Sequence, residues 1–184
     1  MKSLIVLSSL LMALPLHAAK LTNSTCKDVK NLNDKAMPEY LAVVDGYDKA
    51  GKKDFEEIDM VGIMNDATKV KEACANGEDA KIKDIRKTTT ATTTAATTAS
   101  PSTTTPKHFN PKNSKCEDFV ALNEMYQPVA AYWVLGNSKD SKVKKGDLDE
   151  VYLEQPVMTL VEECRKQPKA SFFSKAKSWF HKHV

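Results

Sequence analysis

The sequence predicts an all-α protein: two tandem, small, disulfide-stapled domains joined by a disordered threonine-rich linker. Three observations carry that prediction. The four cysteines form two pairs, Cys26 with Cys74 and Cys116 with Cys164, each spaced by 48 positions and the second displaced by 90 from the first. At that offset the halves align without gaps. Asp28 meets Asp118, Leu32 meets Leu122, Asn33 meets Asn123, Pro38 meets Pro128, Val44 meets Val134 and Gly46 meets Gly136. Lys49 with Lys139, Lys52 with Lys142, Asp59 with Asp149, Val61 with Val151 and Glu72 with Glu162 continue the match. Such a match marks a tandem duplication. Secondly, apolar residues recur at helical spacing, and strand signals are confined to Val61–Met64 and Val151–Leu153. Thirdly, the halves are separated by TTTATTTAATTASPSTTTP, eleven threonines in nineteen residues with no charge and no aromatic ring. That composition cannot form a core and is expected to stay extended.

Residues 1–19 read as a removable leader: Lys2, an apolar run from Leu4 to Leu16, and small residues that place cleavage after Ala18 or Ala19. The run is too short to cross about 30 Å of hydrocarbon. Export permits disulfides. The mature chain then divides into 20–87, a linker at 88–106, and 107–184. Each half is near the size at which a core alone barely offsets chain entropy, so a staple is expected. A duplicated unit that folds by itself needs its bridge within the unit, which pairs Cys26 with Cys74 and Cys116 with Cys164. Each closure is worth roughly 4 kcal/mol on chain-entropy arithmetic. A zinc site is the competing use of the cysteines, but Cys-x-x-Cys spacing is missing and His108, His181 and His183 occur only in the second half.

Within each half the elements follow from local signals. Thr25 with Asp28, and Ser114 with Glu117, resemble capping boxes opening a helix that carries the first cysteine. Pro38 and Pro128 suit the first turn of a second helix, expected to run to about Val44 and Leu135 before Gly46 and Gly136 end it. A third helix is expected from near Asp66 and near Pro156, with Val70, Ala73 and Cys74, or Val157, Leu160, Val161 and Cys164, facing inward. The last helix is short and polar at 79–86 and longer at 171–182. The bridge would join the first and third of these helices.

Composition and motifs exclude more than they assign. Twenty-seven bases against 24 acids argue against a nucleic-acid partner. Nucleophile triads, phosphate loops and metal-protease motifs are missing, so no catalytic residue, cofactor or metal is predicted. Paired acids such as Asp147 with Asp149 and Glu56 with Glu57 read as solvated loop charges. The segment SFFSKAKSWFHKHV places Phe172, Phe173, Ala176, Trp179 and Phe180 on one helical face and Lys175, Lys177 and Lys182 around the rest. It is either a core helix or a surface for membrane or client contact.

The run CEDFVALNEMYQPVAAYW (Cys116–Trp133), the distance to Cys164 and the ending KASFFSKAKSW resemble the HdeA/HdeB family of periplasmic acid-stress chaperones. CKDVKNLNDKAMPEYLAVV (Cys26–Val44) looks like the same unit again. The resemblance implies small four-helix domains with one internal disulfide, paired and idle near neutral pH. It further implies that acid makes them separate, partly unfold and hold unfolding periplasmic client proteins soluble without ATP. In that family the dimer interface and the client surface overlap after the first cysteine. Carried over, the surface comprises Phe119, Tyr126, Val129, Ala130 and Trp133. In the first copy Val29, Ala36, Glu39, Tyr40 and Val43 are the counterparts, a weaker patch interrupted by a charge.

Residue physics is compatible with an acid response. After leader removal the chain moves from about +2 to about +29 near pH 2, and self-repulsion on that scale favours expansion. The bridges would keep apolar segments together once packing is lost. Candidate switch acids are those present in both copies, Asp28 with Asp118 and Asp59 with Asp149, with Lys52 and Lys142 as candidate partners. Self-association, between the domains of one chain or between chains, is expected. The rival readings are a constitutive envelope or secreted adaptor and a lipid-binding protein acting through Phe172, Phe173, Trp179 and Phe180.

Overall fold

The computed structural model describes residues 21–52, 57–90, 108–138 and 157–183. Among these residues each half holds four α-helices. The first half has α1 (Cys26–Val29), α2 (Ala36–Lys49), α3 (Met60–Cys74) and α4 (Ile82–Thr90). The second has α5 (Cys116–Val120), α6 (Tyr126–Asn137), α7 (Met158–Lys166) and α8 (Phe172–His183). A 3-10 turn at Leu21–Asn23 precedes α1. Two short strands, β1 (Ile58–Asp59) and β2 (His108–Phe109), pair antiparallel with Ile58 opposite Phe109.

Both bridges form as expected, tying α1 to α3 through Cys26–Cys74 and α5 to α7 through Cys116–Cys164. The segment after each second cysteine returns alongside the first helix. Cys26 N–H donates to Ala80 O at 2.9 Å and Cys116 N–H to Ala170 O at 2.9 Å. Lys27 N–H donates to Glu78 O at 2.9 Å and Glu117 N–H to Pro168 O at 3.0 Å. Each bond recurs at the offset of 90, so the duplication in sequence is a duplication in hydrogen bonding.

The first-helix caps are acidic. Asp28 Oδ2 accepts from the Thr25 N–H at 2.8 Å, as the capping box requires, and also from the Thr25 hydroxyl at 2.9 Å. In the second half the box lies one residue later than the sequence suggested. Asp118 Oδ2 accepts from Lys115 N–H at 2.7 Å, at the positions equivalent to Thr25 and Asp28. Glu117 instead pairs with Lys169 at 2.9 Å, fixing the return segment to α5.

Three further boundaries differ from expectation. Gly46 and Gly136 do not end their helices; α2 continues to Lys49 and α6 to Asn137. The apolar Val61–Met64 run is helix rather than strand, because α3 starts at Met60, where Asp59 caps it by accepting Gly62 N–H at 2.8 Å. Helix α4 extends to Thr90, with the Thr88 hydroxyl donating to Ile85 O at 2.7 Å. The remainder of the threonine stretch, Pro156 and Val151–Leu153 lie outside the described residues, as does the leader.

The two cores differ in texture. The second half is aromatic: Phe119 stacks on Phe172 at 4.3 Å, Phe109 meets Phe172 edge-on, and Tyr132 and Trp179 both flank Phe180. The first is mainly aliphatic, with Val29, Met37, Leu41, Ile63, Val70 and Ile82 buried. They meet along α2 and α6, and β1 of the first half pairs with β2 at the start of the second, so one continuous core runs through both.

Candidate functional site

Helix α6 reads YQPVAAYWVLGN, twelve residues without a charge, and nine of them are buried. A helix apolar on every side must be covered on every side. Its own half supplies one cover through α8 and α5, and the other half supplies the rest, mainly through α2 with a smaller share from α3.

The α2–α6 crossing depends on two glycines. A Cβ placed on Gly46 would stand 2.2 Å from Trp133 O, and one on Gly136 would stand 2.1 Å from Val43 O. Gly46 and Gly136 are equivalent in the duplication, as are Val43 and Trp133. The contact is therefore reciprocal, as in an isologous two-fold interface, but here both sides belong to one chain. Asn137 Nδ2 adds a bond to Gly46 O at 3.1 Å.

Symmetry ends at the polar contacts. Trp133 Nε1 donates to Asp45 Oδ2 of the first half at 2.9 Å. Lys49 reaches the same oxygen at 2.9 Å, and Arg86 Nη2 reaches Asp45 Oδ1 at 3.3 Å. Arg86 Nε also contacts Asp66 Oδ2 at 3.1 Å, so α2, α3 and α4 converge on one charged cluster. Burial pushes the Asp66 carboxyl above its ordinary range, with Arg86 opposing the shift. Asp48 is likewise raised, first by burial and again opposed by Arg86.

Val129, Ala130 and Trp133 on α6 and Val43 on α2 are fully covered, and Tyr126 is half-buried. Tyr40 is buried beside Ser24, with which it shares a hydrogen bond, and burial pushes its phenol up to about 12. Glu39, which interrupts the first-half patch, is only 3% exposed. Phe119 lies in the second-half core against Phe172 rather than on the crossing helix. The acids singled out as switches serve as caps: Asp28 and Asp118 on α1 and α5, Asp59 on α3. Lys52 is exposed and acts electrostatically on Asp48; Asp149 and Lys142 lie outside the described residues. Asp45, Asp66 and Arg86 were not picked out by the sequence. Their equivalents are Leu135, Pro156 and Ala176, so repetition carried no signal for them.

The C-terminal segment is a core helix: Phe172, Trp179 and Phe180 are buried, Phe173 is half-buried, and Trp179 Nε1 donates to Thr159 Oγ1 at 2.9 Å. Among the described residues no helix is long and apolar enough to span a bilayer, and no cluster of His, Cys, Asp and Glu could hold a metal ion.

A bridged four-helix unit, present twice and self-paired through an uncharged helix, defines a tandem of small disulfide-stapled helical domains. The chain belongs to the HdeA/HdeB family, whose model matches residues 1–84 and again 87–174. Proteins described as "Probable acid stress chaperone HdeA" from Brucella ovis, Brucella canis and Brucella abortus are 36% identical to it over 63 residues. That match covers 34% of this chain and 55% of each relative, so the chain spans little more than half the length of the curated relatives it matches. No solved structure matches the chain significantly.

Proposed function

We propose that this protein is an exported, ATP-independent holdase of the periplasm that protects unfolding client proteins during acid stress. The observation that carries the reading is the uncharged α6, whose apolar surface is covered at rest by α2 of the same chain. Acid opening uncovers it, and the two bridges confine each half so that its apolar segments stay adjacent. The leader at residues 1–19 is proposed to direct export and to be cleaved after Ala18 or Ala19. The names of the relatives support an acid-stress role, and the reading needs no catalytic group.

The chain's 24 carboxylates lose their charge between neutral pH and about pH 2, while every Lys and Arg keeps its own. The resulting repulsion acts on two halves that at neutral pH carry opposite net charge, 13 bases with 14 acids in 20–87 and 13 with 10 in 107–184. The test is light scattering of an acid-labile client. Clear solution at about pH 2.5, aggregation at about pH 7, and loss of acid protection after reduction of the bridges are expected. Equal protection at both pH values would refute the acid-gated reading.

A further inference from the structure

Trp133 extends from an uncharged helix to a carboxylate of the other half, and that carboxylate is held from three directions. Asp45 Oδ2 accepts the indole N–H at 2.9 Å and faces Lys49 at 2.9 Å, while Oδ1 faces Arg86 at 3.3 Å. Arg86 in turn ties α4 to Asp66 of α3. These four charged side chains are only 14–22% exposed, so solvent screens them little. The equivalents of Asp45, Arg86 and Trp133 are Leu135, Ala176 and Val43, none of which carries a charge or a ring N–H. The grip therefore runs one way, from the first half onto the second.

We propose that Asp45 is an acid-releasable latch through which the first half acts as a built-in cover for α6 of the second. This deepens the holdase reading by assigning the regulation of its surface. The charged groups around the latch are Lys49, Asp48 and Lys52 on α2 and the segment after it, Asp66 and Lys69 on α3, and Lys83 and Arg86 on α4; α6 contributes none. Asp48 and Asp66, raised by burial, take up protons before an ordinary carboxylate as pH falls. Their protonation by itself favours the folded chain, because it relieves the burial of their charge, so opening must come from another group. Protonating Asp45 removes the charge in contact with Arg86 and Lys49, leaves two covered cations side by side, and weakens the acceptor that holds Trp133.

The experiment is an acid titration of the full chain without client. The protein has two tryptophans, so its two indole N–H resonances are resolvable, and Trp133 is assigned by the signal lost in Trp133→Phe. Asp45→Asn keeps the size and an acceptor oxygen but not the charge. It is expected to lower the closed-to-open ratio about tenfold, moving the opening to higher pH. Adding Arg86→Met to that variant should return the midpoint toward the parent, since no stranded guanidinium remains. An unmoved midpoint in Asp45→Asn, or no recovery in the double variant, overturns the latch. If Asp45→Asn does not fold at neutral pH, Arg86→Met alone decides: it takes from Asp45 and Asp66 the cation they share, so opening at higher pH supports the latch, and an equal or lower pH overturns it. A chain that opens as expected yet lets a client aggregate refutes the holdase reading and leaves the latch standing.

Discussion

Replacing either crossing glycine by alanine separates the role of the α2–α6 contact from that of the two cores. In Gly46→Ala the new methyl carbon would lie 2.2 Å from Trp133 O, and in Gly136→Ala 2.1 Å from Val43 O. Ordinary contact begins near 3.4 Å, so the helices must part by about 1.2 Å, and the obstacle is backbone that cannot rotate away. Overpacking of this kind costs about 1–3 kcal/mol. The penalty falls on the closed pair alone, because neither methyl enters the core of its own half. Each variant is expected to bind an apolar dye at neutral pH, to open at a higher pH than the parent, and to keep both disulfides and its helical content. Gly77→Ala is the control, since a Cβ there meets nothing within 4 Å. Small-angle scattering and dye fluorescence across a pH series read the effect. Gly46→Ala and Gly136→Ala curves that superimpose on Gly77→Ala would show that the crossing does not hold the chain closed.

Two other perturbations test the local physics. The Tyr40 phenol, raised to about 12 by burial, binds its proton more tightly in the folded chain than in the unfolded one. Stability should therefore fall between about pH 10 and about pH 12, by roughly 2–3 kcal/mol in urea unfolding. Tyr40→Phe should flatten that decline, and an unchanged slope would contradict it. Asp28→Ala and Asp118→Ala each remove a first-helix cap and should cost about 1 kcal/mol at neutral pH. Thermal melts at neutral pH read the loss, and a melting temperature unchanged in both variants would contradict the caps.

The sequence was most legible where covalent or repeated. Two cysteine pairs at one offset carry both bridges and the two-half architecture, whereas the aromatic face of the last helix fitted either a core or a membrane or client surface until its neighbours were in place. Gly46 and Gly136 were visible as a repeated pair but misread, because a helix stop and a close helix crossing both call for glycine. Only the partner helix distinguishes them. Val61–Met64 looked like strand from its apolar run, although Asp59, the cap that starts α3 there, was already in view under another role. The Asp45–Arg86–Asp66 cluster was illegible for the opposite reason: it exists in one copy only, and its members are brought together from three helices.

Carrying both halves on one chain changes how opening depends on concentration. Seventeen residues separate Thr90 from His108, and no conformation of a chain that long spans more than roughly 60 Å. However far α2 moves from α6, the ends of the two halves stay within that radius, which corresponds to an effective concentration of about 2 mM or above. A pair of separate chains at about 1 μM would lose most of its association long before that. Opening of this protein should thus have the same midpoint at about 1 μM and about 100 μM, and closing on neutralisation should follow first-order kinetics. Cleaving the folded chain at a protease site introduced among residues 91–107 should make both quantities concentration-dependent, without a change in either half. A midpoint that already shifts with dilution in the intact chain would mean that pairing between chains, and not the contact of α2 with α6 within one, governs the response.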